Sequence, residues 1–312
     1  MTHDGPAAAG PSRRDRLVSA ARVAYTLLLV LALAWALVLA RDDVAALARD
    51  ARPAFLVGAL LAGVGMPVLT SALWSSMLRA LGSSVPAHVV LSATARSLPA
   101  RYLPGSIWYA VSRGALLRER GVPVRALTTV ATLEMLLVPV VGFAVGGFLL
   151  AVSGGTPSGL TAPLVVAAVA LAVLATPPVL NRLLALVWRS REGAPPAVDW
   201  PAVARLVGWI TLFWVWSASV FALYLAGFPR VADDVPVATL LGAYMVAWGV
   251  GWLAVFAPQG VGVFEVTLAS ALGTATAGTA LVLGGYRVVV LARDLLLAAV
   301  AAALHRRTAH RR

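Results

Sequence analysis

The sequence predicts an all-α polytopic membrane protein: two inverted repeats, about six full spans plus two re-entrant, broken-helix hairpins, eight hydropathic segments in all. Three observations lead there. Hydrophobic residues make up 60% of the 312 residues against 12% charged, and mean hydropathy is +0.87, more apolar surface than a water-soluble core can hide. The apolar residues gather in runs long enough to cross a bilayer, with arginines clustered at alternate ends. A broken pattern around Pro104-Gly105 recurs around Pro258-Gln259-Gly260, about 154 residues later.

The net charge of +12 comes from 25 basic residues, all of them Arg, a usage that matches GC-rich coding. Because they flank apolar runs, the arginines orient a chain in a membrane, and no nucleic-acid partner is expected. Absence of Cys excludes disulfides, zinc–thiolate sites and thiol chemistry. His3, His88, His305 and His310 lack metal-ligand spacing, so neither a metal nor a cofactor is expected. The first apolar run reads as a retained anchor: it is as long as a full span, and Arg41-Asp42-Asp43 follows it without a small-residue cleavage pattern.

In chain order, residues 1–17 form a Gly/Pro/Ala/Arg-rich tail without periodicity, read as disordered and cytoplasmic. A single transmembrane domain is expected over 18–304, with repeat one at about 18–150 and repeat two at about 164–304. The first span covers Val18 to Ala40. The connector Arg41 to Arg52 balances three arginines with three aspartates. The second covers Phe55 to Leu78, with a kink at Pro67. Arg79 to Arg125 then holds seven arginines against one acid, Glu119. Its apolar pieces, His88 to Leu98 and Ile107 to Leu117, are each about half a bilayer long at ~1.5 Å per residue, which predicts re-entrant half-helices.

A third span covers Leu127 to Leu150 and carries Glu134 inside it. An uncharged linker, Ser153 to Ala162, leads to a fourth span at Leu164 to Val187 and a fifth, Trp-rich one at Val203 to Phe228. Val237 to Phe256 runs straight into Ala257-Pro258-Gln259-Gly260-Val261-Gly262, which breaks any helix. Val266 to Ala277 completes that hairpin. The last span covers Ala280 to Leu304, and 305–312 form a basic cytoplasmic tail. Basic and neutral-or-acidic connectors alternate without exception for six spans and two hairpins; eight full spans, the alternative, also keep both termini inside but place Arg101 and its neighbours less comfortably. This places both termini in the cytoplasm and the protein in the cell (inner or plasma) membrane. An odd number of full spans per half turns the second repeat upside down, the architecture of secondary transporters.

Ionisable side chains inside apolar spans are costly unless paired or wetted. That singles out Glu134, Glu265 and Asp294 for charge balancing or proton coupling, and Arg287, with Arg293 beside Asp294. Salt bridging that only fixes helix packing is the competing reading. Arg287 and Asp294, seven residues apart, share a helix face, and each is open to a partner from the other half. The breaks at Pro104, Gly105, Pro258, Gly260 and Gly262 free backbone N–H groups at half-helix N-termini, which suit a phosphate. Arg101, Arg113 and Arg287 add guanidinium donors for its oxygens, although Arg101 and Arg113 also fit interfacial anchoring. Trp108-Tyr109 fit an interfacial belt or a substrate groove. Asp42-Asp43 and Asp233-Asp234 are outer-loop acids.

The elements Leu103-Pro104-Gly105, Ser112 to Gly121, Ala131 to Glu134 and Pro258 to Glu265 resemble the transmembrane region of lysylphosphatidylglycerol synthases, a flippase-like family. The likeness covers about residues 18–304, and the Pro-x-Gly-x-Gly-x-x-Glu element is its most specific piece. The chain stops at Arg312 without the soluble aminoacyl-transfer domain of the full synthases, so lysyl transfer is not expected, nor any catalytic residue. Gln259 stands where Gly is frequent. The resemblance implies transport of a phosphate-bearing lipid, a phospholipid or polyprenyl-phosphate-linked saccharide, between leaflets. The membrane lipid is then the main partner, with enzymes of a lipid-linked glycan pathway as further ones. Two alternatives remain: a membrane-embedded glycosyl- or phospho-transferase using the outer-loop aspartates, and an accessory subunit of such a pathway.

Overall fold

With no water to bond to, apolar runs in a bilayer must satisfy their own backbone, and helices do this within one segment. Among the described residues every regular element is helical. The computed structural model describes residues 49–103, 107–154, 166, 168–169, 172–188, 197–232, 235–254, 260–273 and 277–309. The chain divides into two compact units, 1–49 and 50–312, and every helix from Pro53 onward belongs to the second. The expected first span, Asp42-Asp43, Asp233-Asp234, Pro104, Gly105 and Pro258 lie outside the described residues.

Four helical stretches there are long and apolar enough to cross a membrane: Pro53–Ala80, Val124–Val152, Trp200–Leu225 and Leu281–Arg307. The protein is therefore a multi-pass membrane protein. The first stretch is two helices, α1 (Pro53–Gly63) and α2 (Gly65–Ala80), interrupted at Val64 rather than at Pro67. The shift has a physical cause. Proline lacks an N–H and its ring crowds the carbonyl four residues back, here that of Gly63. Side chains from elsewhere take up the carbonyls at the break. Arg293 Nη1 donates to Gly63 O at 3.3 Å, and the Trp216 indole N–H donates to Ala62 O at 3.0 Å.

Next come α3 (Ala87–Ser97), a 3-10 helix (Leu98–Tyr102) and α4 (Ile107–Arg118). At 11 and 12 residues, α3 and α4 are each roughly 17 Å long, about half the hydrocarbon thickness. α5 (Val124–Val152) follows as a continuous helix. The expected fourth span, Leu164 to Val187, is not continuous. The chain turns at Ala175-Thr176, and α6 (Pro177–Trp188) starts afresh. Pro177 disfavours helix at the residue before it and fits the first helical position. α7 (Trp200–Leu225) is started by Asp199, whose carboxylate accepts from Ala202 N–H at 2.8 Å. Then come α8 (Val237–Leu253), α9 (Val263–Leu272) and α10 (Ala277–Ala309).

α5 and α8 make the most extensive helix pair, and they cross at glycines. A Cβ added at Gly242 would lie 2.7 Å from Gly146 O, and one at Gly146 would lie 2.9 Å from Gly242 O. Only hydrogen fits there, and dispersion between closely apposed backbones is what binds helices in lipid. α7 packs against α1, α2, α5 and α8. An aromatic core joins it to α8 and α10: the Phe221 ring lies 4.8 Å from Tyr244 and 4.9 Å from Tyr286. Tyr224 Oη donates to Val282 O at 2.8 Å across the same contact.

Candidate functional site

Two groups of ionisable side chains sit beside the two helix breaks. The first is built on α4. Arg113 has no exposed surface, and its Nη2 donates to Glu134 Oε1 at 3.0 Å and Oε2 at 2.7 Å. Its guanidinium carbon lies 3.9 Å from the Trp74 ring centroid and 4.4 Å from that of Tyr109. Tyr109 is four residues earlier on α4, hence on the same face. Aromatic faces offer a buried cation negative potential without a second acid. Arg113 Nε and Nη1 are nevertheless buried without a hydrogen-bond acceptor among the described residues. Each such donor costs about 1–3 kcal/mol.

Tyr109 links this pair to a further carboxylate, because Arg101 also lies over its ring, at 5.1 Å. Asp294 on α10 is wholly buried and accepts from four donor atoms. Tyr102 Oη donates to Oδ2 at 3.0 Å, and Arg101 Nη1 reaches the same oxygen at 3.5 Å. Arg293 donates to Oδ1 through Nε at 2.9 Å and Nη2 at 2.6 Å. With Nη1, Arg293 also holds Gly63 O and Met66 Sδ, tying α10 to the break between α1 and α2. Among the described residues the cluster contains three guanidinium groups (Arg101, Arg113, Arg293) and two carboxylates (Glu134, Asp294).

The second group surrounds the turn before α9. Gly260 and Gly262 have φ of +64° and +85°, values an L side chain resists, and a Cβ on Gly260 would fall 2.6 Å from Gly251 Cα. The turn therefore lies directly on α8. Glu265 reaches back three residues to accept from Gly262 N–H at 2.8 Å, closing the N-terminus of α9 with its own anion. Its other oxygen accepts from Arg287 Nε on α10 at 2.8 Å. Arg287 Nη2 reaches Gly260 O at 3.4 Å, and the guanidinium lies 4.9 Å from Trp248 and 4.8 Å from Phe264.

The two groups are alike with signs exchanged. Beside the first break the cation is on the half-helix and the acid on the next long helix, 21 residues on; beside the second the acid comes first and the cation follows after 22. Both arginines are held against aromatic rings.

Arg101, Arg113, Glu134 and Asp294 thus come together in one cluster, and Gly260, Gly262, Glu265 and Arg287 in another. Asp294 takes a partner from the first half, Arg101, whereas Arg287 pairs inside its own half with Glu265. Arg113 is buried inside the protein. Trp74, Tyr102, Trp248 and Phe264 were not singled out by the sequence. Tyr102 adjoins Arg101 and Phe264 adjoins Glu265, so both were within reach; Trp74 and Trp248 are brought in only by tertiary packing. Among the described residues no three His, Asp or Glu side chains are grouped to hold a metal. No protein-family model matches the chain, and no curated protein matches it.

Proposed function

We propose that this protein moves a phosphate-bearing lipid, a phospholipid or a polyprenyl-phosphate-linked saccharide, between membrane leaflets. The observation that carries the reading is the buried cluster at the first break, where Arg113 keeps donors that no described residue fills. Removing one partner of a buried ion pair costs about 3–5 kcal/mol, because a charge is left uncompensated. Exchanging carboxylate for phosphate avoids that cost, since the guanidinium keeps an anion throughout. Glu134, Asp294 and Glu265 then act as resident counter-ions that yield Arg113, Arg101 and Arg287 to a passing head group. A carboxylate displaced in this way is free to take a proton.

The element order supports an inverted repeat: a long helical stretch, a shorter helix, a break, a half-helix and a long helix over 53–152 and again over 200–309. The shorter helix has 11 residues in the first and 17 in the second. In such folds the broken helices form the substrate path at mid-membrane. The resemblance to the flippase-like transmembrane region points the same way, and the reading places the protein in the cell membrane with both termini cytoplasmic. Purified protein in proteoliposomes with fluorescent phospholipids and polyprenyl phosphates should accelerate head-group translocation for at least one of them. Arg113→Gln protein that still folds should lose that acceleration. Absence of acceleration for every lipid would end the transport reading.

A further inference from the structure

Pro67 leaves one carbonyl of the stretch Pro53–Ala80 without its helical donor. In an unbroken helix Gly63 O accepts from the N–H four residues on, and proline has none. An unpaired peptide carbonyl is costly in hydrocarbon, so Gly63 O needs a donor from another element. That donor is Arg293 Nη1 on α10, at 3.3 Å, and the same nitrogen reaches Met66 Sδ at 2.9 Å. One guanidinium nitrogen thus holds both sides of Val64, the end of α1 and the start of α2. The approach is close: a Cβ on Gly63 would fall 3.1 Å from Arg293 Cδ.

The two sides of the junction have different surroundings. Among the described residues α1 packs against α7 and α10, whereas α2 packs against α3 and α5 as well as α7. Trp216 of α7 pins the junction from another face. Its indole N–H donates to Ala62 O at 3.0 Å, and its Nε1 lies 2.7 Å from where a Cβ on Gly65 would stand. A proline kink whose arms lie on different helices, with a glycine on either side of the junction residue, is built as a hinge.

The other edge of Arg293 sets the angle. Nε and Nη2 are engaged by Asp294 Oδ1, at 2.9 and 2.6 Å, and the planar fork holds Nη1 rigidly on its far side. Asp294 Oδ2 accepts in turn from Tyr102 Oη and Arg101 Nη1, in the 3-10 helix at the first break. A continuous path of hydrogen bonds therefore runs from that 3-10 helix, through Asp294 and Arg293, to the α1–α2 junction.

We propose that the α1–α2 junction is a hinge, and that Arg293 is the positioning residue that makes it follow the 3-10 helix at the first break. The coupling is a property of the fold, stands apart from the transport reading and is measured without translocation.

Double electron–electron resonance on the full chain in lipid nanodiscs tests it. The chain has no Cys, so nitroxides can be placed at Ala54→Cys and Ala80→Cys, exposed positions near the far ends of α1 and α2. They lie about 39 Å apart along a straight helix. The doubly labelled protein is expected to give one narrow distance. R293K keeps the charge beside Asp294 but loses the fork, and should broaden the distribution or add a second distance. Tyr102→Phe, whose lost hydroxyl bonds Asp294 rather than either arm of the hinge, should change the distribution in the same direction. Ser217→Ala removes a buried hydroxyl bonded to Tyr244 and should leave it unchanged. An unchanged distribution in R293K, or a response to R293K that Tyr102→Phe does not share, would overturn the proposal. Equal broadening in Ser217→Ala would overturn it as well, by showing general loosening. Should R293K not fold, Tyr102→Phe decides alone.

Discussion

Among the described residues, Arg113 and Glu134 form one of two ion pairs held almost wholly out of reach of solvent, the other being Arg293 and Asp294. Glu134→Gln leaves a buried guanidinium facing a neutral amide, and a loss of about 3–5 kcal/mol is expected, read as lowered thermal stability in detergent. Arg113→Met combined with Glu134→Leu removes both charges and should recover most of that loss, since a buried pair is often no better than well-packed apolar residues. On the transport reading the recovered protein is stable and inactive; a stable and active double variant would confine the pair to packing. Glu265→Gln makes a useful contrast. Its pair with Arg287 is partly exposed, and an amide oxygen still accepts from Gly262 N–H. The expected loss is about 1 kcal/mol, and a loss as large as that of Glu134→Gln would contradict the difference in burial. The acids themselves were legible in the sequence, as charges within apolar runs. Their partners were less so: the 21-residue separation of Arg113 and Glu134 joins two helices that nothing local brings together.

Among the elements, the breaks were the easiest to read and their exact sites the hardest. Proline announces an interruption, but the freed carbonyl is four residues back, so the break expected at Pro67 is at Val64. Pro177-Pro178 lay within an apolar run long enough to span, and hydropathy alone concealed the turn at Ala175-Thr176. The α5–α8 crossing shows the opposite limit. Gly146 and Gly242 are ordinary glycines in sequence, yet each has the other's carbonyl oxygen within 3 Å of where a Cβ would stand. Gly146→Val and Gly242→Val should each cost at least about 1–3 kcal/mol, since backbone cannot yield as a side chain does. Reversible unfolding in mixed micelles would show it, and a neutral Gly242→Val would mean that the helices separate more readily than their packing implies.

At the scale of the whole molecule, the arrangement of charge outside the spans predicts topology. The chain has no Cys, so single introduced thiols report sidedness without background. Ser84→Cys, in the connector after α2, should react with an impermeant maleimide only from the cytoplasmic side, and Val235→Cys, before α8, only from the opposite side. Labelling of both from one side would undo the alternation of connectors and with it the inverted repeat. Composition, hydropathy and the placement of arginines by themselves determined that the protein is helical and crosses a membrane several times. They did so because desolvating a charge or an unpaired peptide group is too costly to leave ambiguous. Only the tertiary structure decided which charges meet. It set Arg113 between two rings against Glu134, shared Asp294 among Arg101, Tyr102 and Arg293, and closed Glu265 on Arg287. Those choices depend on how helices far apart in sequence approach one another, and in lipid that approach is governed by close packing, which hydropathy does not record.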